Sequence, residues 1–318
     1  MKAAWVLLTG LLLAPFALAQ SDSFPSRPIK IIVPFTPGAG SDISARFFGT
    51  KLGALLGQTV VVENKPGALG AIGASAAKSA PADGYTILLG SNSPMTVNPV
   101  MVANLPYDPI KDFKPISGLA RNTNVFIVPA GSRFRTLGDL VAAAKSERKL
   151  NVGTAASGYE IVMEWFAAVA GVKFNNIPYK GGSQVYNDVA AGILDWAVAE
   201  LAGAATLIAS GRVRALATTG DNRHPRFPDV PTVKESGYPE FVTYSWNALY
   251  VRSETPDEVA LKLANAMQIV LATEESANFV KGVGTELLLL PPTAMRKFQI
   301  DEYERFKGIA ARAGLKPQ

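Results

Sequence analysis

Three short stretches of glycine and hydroxyl residues each stand directly before a helical pattern. The first is Pro34-Phe35-Thr36-Pro37-Gly38-Ala39-Gly40-Ser41-Asp42, the second Gly153-Thr154-Ala155-Ala156-Ser157-Gly158-Tyr159-Glu160, the third Tyr179-Lys180-Gly181-Gly182-Ser183. Small residues leave backbone N–H groups open, and a helix start adds the positive end of its dipole, so each stretch can hold an anion. Converging, they would line a polar cleft between two halves of the protein, suited to a small carboxylate. A hydrogen bond to a charged group contributes ~1.5–3 kcal/mol, so four or five reach the ~8 kcal/mol of a micromolar complex before ordering costs. Ser41, Asp42 and Ser183 are also N-cap residue types, so each stretch taken singly reads equally as a capped turn.

Other chemistries lack their parts. Gly38-x-Gly40 has no third glycine where a dinucleotide loop needs one, since position 43 is Ile, and no Gly-Lys-Ser/Thr loop exists to cradle a nucleotide phosphate. The one histidine, His224, lies in the Pro-bounded basic loop 221–229 and reads as a solvated turn residue. A single histidine builds no His metal cluster, and no Gly-x-Ser-x-Gly elbow supports a triad. Zero cysteines remove disulfides, thiolate ligands, a Cys nucleophile and a lipidated Cys. Glu160 and Glu200 form the conceivable carboxylate pair, with no fixed separation. Neither catalysis, a cofactor nor a metal is expected.

The elements that must position these loops alternate between strand and helix, which predicts α/β layers with mainly parallel sheets. Ile29-Lys30-Ile31-Ile32-Val33 is a β-branched strand broken by residues 34–40. In 42–56, Ile43, Phe47, Leu52, Leu55 and Leu56 mark one helical face, and Gly57 suits the stop. Strand 59–63, helix 72–78 and strand 85–89 complete a β-α-β-α-β unit, with the glycines at 67, 70 and 73 read as close packing. A second unit runs through strand 125–128, helices 137–145, 161–169 and 184–191, strand 193–199, helix 204–209 and strand 213–218. The tail is helical: Thr255-Pro256-Asp257-Glu258 reads as a capping box, and a last helix from about 293 carries Met295, Phe298, Phe306 and Ile309.

Composition agrees with this layout. The 318 residues are 48% hydrophobic and 18% charged, which excludes disorder and a polytopic membrane protein and leaves a soluble globular chain. The net charge of +5 is scattered, without the concentrated basic face that nucleic-acid binding needs. Lys2, an apolar run over 5–16 and Ala17-Leu18-Ala19 form the pattern of a signal peptide through residue 19, too short for a bilayer span. The mature chain is expected outside the cytoplasm.

Several motifs together resemble one family. Phe24-Pro25-Ser26-Arg27-Pro28-Ile29, Val33-Pro34-Phe35 with its Gly-rich loop, Val61-Val62-Glu63-Asn64-Lys65-Pro66-Gly67 and Ala80-Pro81-Ala82-Asp83-Gly84-Tyr85-Thr86 carry the first part. Leu105-Pro106-Tyr107-Asp108-Pro109, Pro178-Tyr179-Lys180-Gly181-Gly182, Leu216-Ala217-Thr218-Thr219 and Pro228-Asp229-Val230-Pro231-Thr232 carry the rest. From about residue 24 onward the chain resembles the Bug-type substrate-binding proteins of tripartite tricarboxylate transporters. That resemblance implies a two-lobed, type II (Venus-flytrap) periplasmic binding protein of a Gram-negative bacterium, each lobe a mainly parallel sheet flanked by helices. It implies lobe one at 24–122 plus 247–318, lobe two at 123–246, an organic carboxylate ligand, a two-subunit membrane permease as partner, and a monomer. A sensor or scavenger of the same fold is the alternative.

Carried over by motif, the ligand contacts are Phe35, the loop Pro37-Gly38-Ala39-Gly40-Ser41-Asp42, then Ser91, Asn92 and Ser93, the loop Ala155-Ala156-Ser157-Gly158-Tyr159-Glu160, and Tyr179, Lys180, Gly181 and Gly182. Ser41, Ser91, Ser93 and Ser157 would donate to the carboxylate or its waters, and Phe35 would wall the cleft. Phe35 reads equally as core, Lys180 as a solvated charge and 91–93 as a strand-end turn. The chain departs from the family pattern at Tyr159-Glu160, where a histidine is common in the helix, and at Glu200, where Asp is common. These departures imply a ligand whose far end is aromatic or carries an amine, amide or hydroxyl, because an ionised Glu repels a second carboxylate. Glu160 capping its own helix is the competing reading.

Overall fold

The computed structural model describes residues 24–146 and 149–317; the signal pattern lies outside the described residues. The first unit is β1 (Ile29–Val33), α1 (Gly40–Leu56), β2 (Val60–Asn64), α2 (Ala71–Lys78) and β3 (Thr86–Ser91), followed by a π-helical turn at Ser93–Val97 and α3 (Asn98–Met101). A long strand, β4 (Phe113–Pro129), leads into α4 (Leu137–Ser146), β5 (Asn151–Thr154), α5 (Ser157–Ala170), β6 (Asn175–Pro178), α6 (Gly182–Ala190), β7 (Trp196–Glu200), α7 (Leu201–Ala209) and β8 (Val213–Thr218). The chain returns through β9 (Tyr244–Arg252), α8 (Asp257–Leu271), α9 (Glu274–Val283), β10 (Glu286–Leu287) and α10 (Pro292–Ala313).

Each lobe is built on a parallel triplet, β2-β1-β3 in one and β6-β5-β7 in the other, as the alternating pattern requires. The triplets are joined by antiparallel strands. β9 lies between β3 and β4, and β4 then pairs β7 and β8 with its later residues, from Asn124 to Pro129. One 17-residue strand therefore serves both sheets, and its sequence shows why: Phe113 to Pro129 is buried almost throughout, with Arg121 the one exposed residue. Ile31, Val33, Phe48, Leu52, Ile87 and Leu263 fill one core; Phe126, Phe166, Trp196, Leu216 and Phe241 fill another. Each such side chain contributes about 1.5–3 kcal/mol on burial.

Three expectations need correction. The inward face of α1 is Ser44, Ala45, Phe48, Gly49, Leu52 and Gly53, whereas Ile43 and Leu55 are exposed. The helix lies so close to β2 that a β-carbon on Gly49 would stand 3.1 Å from Val60, and glycines at the contact rotate the buried face away from the larger residues. The capping box at 255–258 does not form. Pro256 is extended, α8 starts at Asp257, and the Thr255 hydroxyl is buried without a partner while the Thr255 carbonyl accepts from Lys114 Nζ at 2.7 Å. His224 is buried: its Nε2–H donates to the Gly284 carbonyl at 3.0 Å, and Nδ1 accepts from the Arg226 N–H at 3.2 Å.

α10 lies across both lobes, against β4, α5 and the turn at 93–97. Phe306 and Ile309 of α10 share a small core with Val97, Met101 and Ile161 of α5. No helix among the described residues is long and apolar enough to cross a membrane.

Candidate functional site

Between the lobes lies a cavity of about 200 Å³, larger than the ~150 Å³ void that admits benzene. Its first wall is the turn from β1 into α1. Asp42 builds this turn, accepting from the Gly38 N–H at 2.9 Å, from Asn64 Nδ2 at 2.9 Å and from Arg46 Nε at 3.0 Å. Burial opposes its ionisation, but the bonds from Arg46, Gly38 and Asn64 outweigh it and hold the carboxyl below its usual range. The turn presents Phe35, Gly38, Ala39, Gly40 and Ser41 to the cavity, whereas the exposed Pro37 and the buried Asp42 do not line it. Phe35 serves two of the readings at once, packing on the first core and walling the cavity.

The floor comes from β3, β4 and β9. Ser91, Asn92 and Ser93 line it, joined by Asn122, Ser245 and Asn247, which the sequence reading passed over. Ser91 and Asn247 are register partners, as are Asn122 and Ser245. The Ser41 hydroxyl donates to Asn247 Oδ1 at 3.0 Å, aiming the other end of that amide into the cleft. Ser91 Oγ, Asn247 Nδ2 and Asn122 Oδ1 are buried and have no protein partner. Buried polar atoms are nearly always paired, so these three orphans on one cavity floor depart from the usual pattern.

The opposite wall belongs to the second lobe. Ala155, Ala156, Gly158, Tyr159, Lys180, Gly181, Gly182 and Glu200, all named from the sequence, line it. Thr36, Ser183, Tyr186, Asn187, Gly203 and Leu207 join them unforeseen. Ser157 lies outside the cavity: its hydroxyl donates across the lobes to Asn98 Oδ1, and the Gly158 N–H donates to Ser93 Oγ at 3.0 Å. The start of α5 thus grips the first lobe. Tyr179 also stays outside, its hydroxyl on Asp188 Oδ2 at 2.6 Å; burial and the Asp188 bond push that phenol up to about 12. Glu160 faces away from the cavity toward Asn176 and Glu164; burial raises it, with the Asn176 bond opposing.

Glu200 is the buried carboxyl among the lining residues. It is 7% exposed, no hydrogen bond or ion pair reaches its carboxylate among the described residues, and burial pushes it up to about 7. Glu200 Oε2 stands 2.5 Å from where a β-carbon on Gly40 would be, against the first turn of α1. Two further approaches close the cleft: a β-carbon on Gly181 would meet Thr36 Oγ1 at 2.8 Å, and one on Gly158 would meet Asn92 Nδ2 at 2.7 Å. Among the described residues no group of His, Cys, Asp and Glu is placed to hold a metal.

The comparison with known proteins follows the same lines. Residues 44–315 match the tripartite tricarboxylate transporter family receptor. The chain belongs to that family. It is 32% identical over 304 residues to protein BugT of Bordetella pertussis, covering 94% of this chain and 93% of that one. Among solved structures, Rpa4515 of R. palustris with adipate superposes with a TM-score of 0.89 at 30% identity, over 93% of this chain and all of that one. The periplasmic binding protein BugD gives a TM-score of 0.87 at 30% identity over the same shares. The family is one of periplasmic solute-binding proteins with the two-lobed α/β fold found here.

Proposed function

We propose that this receptor captures one small organic carboxylate between its lobes and delivers it, chemically unchanged, to a two-subunit membrane permease. The observation that carries this reading is the pair of orphan donors, Ser91 Oγ and Asn247 Nδ2, beside the first turn of α1 in a cavity of small-molecule size. The carboxylate takes the N–H groups of that turn and these two donors, and Tyr159 with Glu200 meets the rest of the molecule. Glu200 favours an acid that is aromatic or bears an amine, amide or hydroxyl over a simple aliphatic dicarboxylate such as the adipate of Rpa4515. Residues 24–122 with 247–318 act as one body and 123–246 as the other. The protein acts as a monomer in the periplasm after residues 1–19 are removed, and no step of its work is catalytic.

A thermal-shift panel of carboxylic acids against their methyl esters tests the reading. At about 100 times Kd, binding adds ~2.7 kcal/mol, a rise of roughly 4–8 °C, for an acid and not for its ester. Equal shifts with acid and ester, or none with any acid, would contradict it.

A further inference from the structure

Resting on the carboxylate reading, we infer that Asn122 and Glu200 form an acceptor pair that selects carboxylate ligands carrying a protonated nitrogen. Asn124 of β4 is the register partner of Glu200 on β7. Asn122, two residues earlier on the same strand, shares that face of the sheet. Both side chains line the cavity; Asn122 is 3% exposed and Glu200 7%. Asn122 Oδ1 is an orphan acceptor, and the Glu200 carboxylate accepts from no donor among the described residues. A carboxylate has only acceptor sites, and an ammonium group only donors, so the ammonium satisfies in one step what the closed lobes leave open.

Both poles border the first turn of α1. On the donor side, Ser41 is fixed to Asn247, whose free Nδ2 points into the cleft beside Ser91. On the acceptor side, the Glu200 carboxylate stands against Gly40, the residue next to Ser41. One cavity of about 200 Å³ therefore holds both, so that a single small ligand can meet them together. The aromatic face of Tyr159 and the space toward Tyr186 and Leu207 are left for the side chain.

The competing role for Glu200 is to stay protonated and donate to a ligand oxygen, which would favour an acid with no nitrogen. Matched pairs separate the two: phenylalanine with hydrocinnamate, leucine with isocaproate, and glutamate with glutarate, titrated by calorimetry into the intact protein, Glu200→Gln and Asn122→Ala. The wild type is expected to bind the nitrogen-bearing member of at least one pair about tenfold or more tighter than its partner. Glu200→Gln should cut that preference below about threefold, and Asn122→Ala should reduce it by a smaller factor. Equal or tighter binding of the nitrogen-free acids by the wild type, or a preference that survives Glu200→Gln, overturns the inference and leaves the carboxylate reading standing. If none of the six acids binds, the inference falls, and the acid–ester panel decides the carboxylate reading. Melting curves of the empty variants show that each is folded.

Discussion

Burial moves the Glu200 carboxyl from 4.5 to about 7, and the movement has consequences for the empty protein. A carboxyl whose folded value is raised contributes fully below its unfolded value, and that contribution is lost as pH climbs from about 4.5 through about 7. The groups facing it, Tyr159 and Tyr186, are themselves raised by burial and by the Glu200 charge, and stay neutral throughout. Glu200→Gln should therefore leave stability near pH 4.5 unchanged and raise it at about pH 8 by roughly 1–3 kcal/mol, read from denaturant midpoints. Identical midpoints at pH 8 would mean the carboxylate is solvated. On the donor side, Ser41→Ala removes the hydroxyl that orients Asn247. Ligand affinity by calorimetry should fall about five- to tenfold while the melting temperature of the empty protein stays nearly constant; unaltered affinity would reduce the loop to a turn.

At the level of elements, closure depends on backbones that approach without β-carbons. Gly181 is extended, with φ of −167°, so alanine fits its backbone, yet the added carbon would press on Thr36 Oγ1 from the other lobe. Gly181→Ala is expected to weaken ligand binding about tenfold or more without lowering the melting temperature, and Thr36→Ala in the same chain to restore it. Restoration that fails would place the effect within α6. Much of this was legible in the sequence: the parallel triplets, the small-residue loops before α1, α5 and α6, and the stop at Gly57, which adopts the left-handed cap. Less legible were the floor residues. Asn122 and Asn247 sit at the points where the sequence places the lobe boundaries, and only their polarity within buried strands marks them. Ser157 stands outside the cavity for a different reason, because a helix start serves a lobe-to-lobe bond as readily as a ligand.

The whole molecule is held by more than its two crossing strands. α10 adds an apolar contact between lobes through Phe306 and Ile161, and His224 ties the loop of the second lobe to the end of α9. Phe306→Ala should destabilise the fold by about 3–5 kcal/mol, visible as a lower denaturant midpoint, because the residue is wholly buried at that junction. A loss below about 1 kcal/mol would mean the junction is loose. The central claim remains the reversible grip on an acid group by α1 and the strand floor. A crystal structure of the protein filled with a binding acid tests it most directly. The account expects the carboxylate oxygens within hydrogen-bond reach of the first turn of α1, Ser91 Oγ and Asn247 Nδ2; a ligand seated elsewhere, with those donors still unpaired, would contradict it.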